Sequence, residues 1–138
     1  MSISAEIQKL LLDTLKADAS LMTMVNGVWD KAPDGNAPWA TPKLAYIDFG
    51  ATDIRDDYSE CIDGETHTVQ LDVWSRTVGN IGCKRIVDRI RKVLNRASLS
   101  LTENALVEVN VVLTRVFDDP DPLTTHGVVS VEFMVEVS

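Results

Sequence analysis

The sequence has few of the residue types on which catalysis and metal binding depend. Of its 138 residues only two are histidine and two are cysteine, and neither pair has the spacing of a metal or redox motif. A glycine-rich phosphate loop and a nucleophile elbow are both missing. Cys83, His67 and Asp72 do not suggest a triad, because Cys83 falls on an apolar helix stripe and Asp72 alternates away from His67. We therefore expect a protein that is not an enzyme and has no cofactor or metal.

Long apolar runs and excess positive charge are also lacking. No run approaches the roughly 20 residues that span a bilayer, and the first six residues do not resemble a signal peptide, so we expect no membrane association. Lys and Arg number 13 against 21 Asp and Glu, a net charge of −8. Since duplex binding depends on neutralising phosphates, this balance argues against a surface that grips DNA.

Two segments have the apolar periodicity of helices. The first runs over about residues 5–17, with Ser4 as its expected N-cap. The second begins near Asn80 and carries apolar residues at spacings of three and four, namely Cys83, Ile86, Val87, Ile90, Val93, Leu94 and Ala97. The two helices therefore each offer one apolar stripe to a common core.

The remaining apolar segments are typical of strands. Alternation or β-branched residues predict strands at 28–29, 44–50, 66–74, 106–117 and 129–137. We predict an α+β fold in a single domain over residues 1–138, with a mostly antiparallel β-sheet and two α-helices packed on one face. Pro and Gly make 31–43 a loop, and the Asp63-Gly64 turn signal makes 53–65 a long hairpin loop.

Charge is segregated along the chain. The second helix carries six bases and one acid, Asp88, whereas 53–65 carries six acids around Arg55. A solvated helix face would explain the bases. The alternative is that they meet an acidic surface on a neighbouring copy, as a head-to-tail ring requires. Under that hypothesis the charged interface residues are Lys84, Arg85, Arg89, Lys92 and Arg96 on one side, and Asp53, Asp56, Asp57 and Glu60 on the other.

Three aromatic residues are candidates for apolar anchors in such contacts. Trp29, Trp39 and Tyr58 lie in or beside the two long connections, and aromatic side chains contribute much of the binding energy of interfaces. We expect these connections to be ordered by neighbouring subunits. The two histidines, His67 and His126, are interpreted as ordinary residues near strand starts, with His67 at a sheet edge or interface.

Four segments, in order along the chain, resemble the tail-completion (tail-terminator) proteins of long-tailed phages and gene transfer agents. They are the helix end at 15–19, the short strand with its Ala-Pro and Pro-Trp steps at 27–39, the strand with a Trp-Ser end at 63–75, and the Asp-Pro turn with the closing strand at 117–128. The resemblance therefore extends over nearly the whole chain.

This resemblance implies a structural virion protein of the tail, assembled in the host cytoplasm. It implies a homo-oligomeric ring, usually of six copies, that caps the head-proximal end of the tail tube and ends tube polymerisation. Its expected partners are the tail tube protein and a head-side stopper or neck protein, and DNA is expected to pass through the lumen without specific binding. A pore lined with carboxylates would repel phosphate.

Other functions stay open on the sequence alone. Another ring-forming neck, connector or tail tube subunit is the nearest alternative, since composition does not separate these proteins. A small hydrolase using His67 or His126 beside carboxylates, and a nucleic-acid-binding module using the second helix, are more distant alternatives.

Overall fold

The predicted helices and strands are present, with some changes of length. The computed structural model describes residues 2–59 and 62–137, and residues 57–59 and 62 by their backbone only. The elements are α1 (Ile3–Ala17), α2 (Ala19–Met22), β1 (Val28–Trp29), a 3₁₀ helix (Ala37–Trp39), β2 (Ala45–Ser59), β3 (Ile62–Ser75), α3 (Ile81–Leu94), β4 (Ala105–Asp118) and β5 (Thr125–Glu136).

The strands form one five-stranded sheet in the order β1-β2-β3-β5-β4. Every neighbouring pair is antiparallel except β1 and β2, so the predicted α+β fold with a mostly antiparallel sheet is confirmed. None of the helices in the described ranges is long and apolar enough to cross a membrane.

The core lies between one face of the sheet and the two long helices. Ile7, Leu11 and Leu15 of α1 and the apolar stripe of α3 are buried with alternate residues of β2, β3 and β5. Gly127 of β5 lets α3 approach closely, since a Cβ there would lie 2.7 Å from Val87 Cγ2 and 2.9 Å from Cys83 Sγ. The opposite side of the sheet, called here the open face, carries none of the described α-helices; the short 3₁₀ helix borders it, since Trp39 contacts Tyr46.

Two boundaries differ from the predictions for local reasons. The N-cap of α1 is Ser2 rather than Ser4, because Ser2 Oγ accepts a hydrogen bond from the Ala5 N–H. The last helix ends at Leu94, so Arg96 lies beyond it, with φ at 57°. The Arg96 N–H donates to Val109 O, and Asn95 Oδ1 accepts from the Val111 N–H. Residues 95–96 thus cover part of the outer edge of β4.

The two long connections are more structured than expected. Residues 53–65 do not form an irregular loop: β2 and β3 stay paired as far as Ser59 and Ile62. The 31–43 segment contains the 3₁₀ helix, and Asn26 Nδ2 donates to Pro38 O and Ala40 O. These hydrogen bonds lie within the chain, so the segment does not need a partner to satisfy them.

Candidate assembly surface

Most of the bases of α3 face solvent. Lys84, Arg85, Arg91 and Lys92 are exposed, as is Arg96 just beyond the helix. The helix packs over β4 and β5, which lie at one side of the sheet. The exposed bases of α3 therefore lie over the β5–β4 half of the sheet, and Arg96 lies at the outer edge of β4. Arg89 is the exception.

The Arg89 side chain forms an ion pair within its own chain. Its Nε and Nη2 lie 2.8 and 2.7 Å from the two carboxylate oxygens of Asp18, and Asp18 also caps α2 by accepting from the Leu21 N–H. The hydrogen bonds from Arg89 lower the pKa of Asp18. Arg89 thus joins α2 to α3, and its predicted role in subunit contact remains a prediction.

The acidic residues lie at the other side of the sheet, on the β2–β3 hairpin. Asp53 and Asp56 are exposed, and Arg55 Nη2 is 3.8 Å from Glu132 Oε2 on the open face. The backbone of Asp57 and Tyr58 continues β2, but their side chains, and the whole of Glu60, lie outside the described residues. Acidic and basic candidates therefore occupy opposite halves of one sheet.

A row of aromatic rings crosses the open face. Tyr46, Trp74, His126 and Phe117 are successive cross-strand partners on β2, β3, β5 and β4. The Trp74 and His126 rings stack with centroids 3.9 Å apart, and Phe117 lies 4.7 Å from His126. Sequence reasoning missed this row, although the alternation of 66–74 places Trp74 on the polar face of its strand.

The two predicted tryptophan anchors extend this row. Trp29 and Trp39 lie edge-on to Tyr46, with centroids 6.1 and 4.9 Å away, and Arg76 lies 4.0 Å above the Trp39 ring. Both tryptophans are half-buried by contacts within the chain. Only their outer surface is available to a partner, so their role as anchors remains a prediction.

Two carboxylates lie beside the aromatic row. Asp48 and Asp72 are direct partners across β2 and β3; Asp48 Oδ1 accepts from Trp74 Nε1 at 3.0 Å, and Asp72 Oδ1 is 2.7 Å from His126 Nε2. Burial raises the pKa of Asp48. His126 thus lies near the start of β5, as predicted, and is held there by an acid and two rings.

Cys83 and His67, the other residues considered for catalysis, are both buried. Burial raises the pKa of the Cys83 thiol to about 11, so it is protonated at neutral pH. His67 is 1% exposed, with Nε2 2.7 Å from Glu65 Oε2. It is not at the sheet edge, because β3 lies between β2 and β5, and it is not at a strand start, because β3 begins at Ile62. Within the described ranges, no three His, Cys, Asp or Glu side chains are grouped to hold a metal.

A buried glutamate fixes the segment that leads into β4. Glu6 Oε2 accepts from the backbone N–H of Thr102 and Glu103, at 3.1 and 3.0 Å, and Oε1 accepts from Asn104 Nδ2 at 3.0 Å. The hydrogen bond from Asn104 contributes most to lowering the pKa of Glu6. α1 thereby anchors the approach to the edge strand.

We expect Glu6→Gln to lower the free energy of unfolding at neutral pH, because the amide loses the charge-assisted hydrogen bonds. A carboxyl group with a depressed folded pKa stabilises the fold above its unfolded pKa, and this contribution is lost as pH falls through the folded pKa. Urea unfolding at several pH values should therefore show the two proteins converging at acid pH. Asp13→Asn, an exposed site, is the control; an equal loss there would contradict the role given to Glu6.

Comparisons with known proteins agree with this architecture. The family described as "Tail completion protein gp17" matches residues 9–136. The "Tail completion protein gp17" of Bacillus phage SPP1 is 28% identical over 132 residues, covering 96% of this chain and 93% of the relative. A chain from the virion of a native gene transfer agent particle has the same fold, with a TM-score of 0.83 and 21% identity over 99% of this chain and 98% of its own. Since the family match spans almost the entire sequence, this chain belongs to the gp17 family of tail completion proteins.

Proposed function

We propose that this protein assembles into a closed ring of six copies that caps the head-proximal end of a phage or gene-transfer-agent tail tube. The ring ends tube polymerisation and presents a docking face to head-side neck proteins, and it acts by binding, not by catalysis. The name of the SPP1 relative supports a role in tail completion. The observation that carries the ring is the placement of opposite charges on opposite halves of one sheet.

A closed ring of identical subunits needs two different, complementary patches on each copy. The acidic hairpin projects from the β2 side, whereas the bases of α3 and Arg96 lie at the β4 side. Two such patches cannot meet within one molecule, but they can meet between successive copies. Complementary charge also sets the register of such a contact.

The net charge of −8 fits a conduit for DNA better than a DNA-binding surface. Carboxylates around a pore repel phosphate and do not retain a moving duplex. The tube protein and the neck protein are the remaining partners in this proposal, one on each side of the ring.

Reversing the charges of Lys92, in the last turn of α3, and of Arg96, just beyond the helix, tests the contact. We expect Lys92→Glu with Arg96→Glu to raise the concentration needed for ring assembly by about tenfold or more, because like charges then face the hairpin. Sedimentation velocity and negative-stain images with tube protein measure the concentration at which rings assemble. Arg89 is left intact, since its pair with Asp18 supports the fold.

Lys16→Glu is the matched control, because Lys16 is also an exposed base in the last turn of a helix, α1. It should assemble normally. Rings that form at an unchanged concentration after reversal of Lys92 and Arg96 would contradict the charge contact. A wild-type protein that stays monomeric at every concentration and ignores tail tubes would contradict the ring itself.

A further inference from the structure

The sheet has two unpaired edges that lie diagonally across from each other. β1 pairs with β2 only at Ile47 and Asp48, so within the described chain no strand covers the outer edge of residues 50–59. On the other side, Asn95 and Arg96 cover β4 at 109–111. The outer edge of residues 113–118 has no partner strand among the described elements.

These edges carry exposed apolar side chains. Ile54 is 51% exposed on β2, and Leu113 and Phe117 are 45% and 37% exposed on β4. Soluble proteins usually protect an edge with short strands, charges or a covering loop, because unpaired N–H and C=O groups recruit other strands. In this protein each edge strand is covered along one part of its length. The other part is uncovered and carries some exposed apolar side chains.

We propose, building on the ring described above, that the free edge of β4 in one copy pairs with the free edge of β2 in the next. The sheets of all copies then join into one closed β-barrel. The partner of each free edge is a second copy of this chain. One molecule carries both edges, and their strand directions allow them to pair. β2, β3, β5 and β4 alternate in direction, so β4 and the β2 of an equally oriented neighbour are antiparallel.

Charge selects the alignment of the two edges. Arg115 is the exposed base of the free part of β4, and Asp53 is an exposed acid on β2; both occupy open-face positions, as partners of Val128 and Thr68. Opposite charges directly across an antiparallel pair stabilise it. The same alignment carries the acidic hairpin tip towards Arg96 and the end of α3, so edge pairing and charge contact belong to one interface.

The offset between the edges agrees with the geometry of a barrel. Along β3, Arg115 is level with Asp72, through its partner Val128, and Asp53 is level with Thr68. Pairing Arg115 with Asp53 therefore offsets successive copies by about four residues along the strands. A shift of about 14 Å over four strand spacings of about 19 Å in total tilts the strands by about 35°, within the range of closed barrels.

This arrangement assigns the two faces of the sheet. In a closed barrel the outer side offers more room than the inner side. The helices therefore lie on the outside, and the open face of the sheet lines the lumen. Six copies would contribute about 24 strands, more than the 16–18 at which barrels already enclose an open channel. The lumen would then display Asp48, Asp53, Asp72 and Glu132 against Arg55 and Arg115, an acidic surplus.

Directed cross-linking tests the edge pairing. In a Cys61→Ser background, Arg115→Cys is combined with Asp53→Cys, both on the open face, or with Ile54→Cys, which lies on the helix face as the partner of His67. Successive strand residues point to opposite faces, and a disulfide needs Cβ atoms about 4 Å apart. Mild oxidation of the first variant should therefore give a ladder of covalent oligomers that ends at the closed ring, at least about tenfold more than the second variant gives.

The outcomes separate the two proposals. Images that show rings without a cross-linked ladder overturn the edge pairing and leave the proposed function standing. Equal cross-linking of both variants also overturns it, since the faces would not be aligned. A soluble monomer with native circular dichroism and no rings overturns both.

Discussion

Replacing residues 57–64 with an Asn-Gly turn is expected to abolish ring formation and tube attachment while leaving a folded monomer. The change keeps the pairing of Asp56 with Glu65 and closes the shortened hairpin with a favoured two-residue turn. It removes the acidic tip with Asp57, Glu60 and Asp63, the surface proposed to meet Lys92 and Arg96. Sedimentation velocity should show only monomer at concentrations where the full-length protein is fully assembled.

This replacement is designed from the register of the hairpin. A simple deletion of residues 54–62 would join Asp53 to Asp63, although Asp53 pairs with Thr68, so residues 63–67 would lose their partners on β2 and become a loop. The control is Asp→Asn substitution at 57 and 63 within the full hairpin, which should weaken assembly without abolishing it. Normal rings from the shortened protein would remove the hairpin tip from the interface.

Phe133→Ala is expected to destabilise the monomer by about 3–5 kcal/mol, because truncating a buried aromatic side chain loses its transfer free energy and leaves a cavity. Phe133 is fully buried, the largest such side chain in the core. Domains have a total stability of only about 5–15 kcal/mol, so the variant should unfold at a much lower urea concentration.

Met134→Ala is the matched control for this prediction. Met134 is the next residue on β5 but points to the open face, where it is only half-buried. Its replacement should change stability by less than about 1 kcal/mol. Similar losses for Phe133→Ala and Met134→Ala would contradict the assignment of the core to the helix-covered face.

The fold could be predicted closely because its periodicities are local. Alternation in 66–74 and 129–137, and the stripe from Cys83 to Leu94, identify the buried face of each element without knowledge of its neighbours. The sequence predicts a loop at 53–65, because the acids of this segment conceal the strand pattern. Its backbone is nevertheless paired, since pairing with β3 satisfies its hydrogen-bonding groups whatever the side chains are.

The candidate site was less predictable than the fold. The sequence identified the segregated charge on the second helix and the acidic hairpin, but it could not show that Arg89 binds Asp18, which lies 71 residues earlier. It also could not place Tyr46, Trp74, His126 and Phe117 in one row, since that depends on the register of four strands.

The sequence by itself determined which residues are apolar, with what period, and where charge accumulates, because these are properties of neighbouring positions. Tertiary structure alone decided which bases remain available to a partner and which strand edges remain unpaired. Residues 95–96 cover one part of β4, and β1 covers one part of β2. Both covers come from segments distant in sequence, and a long-range contact is fixed only when the whole core packs.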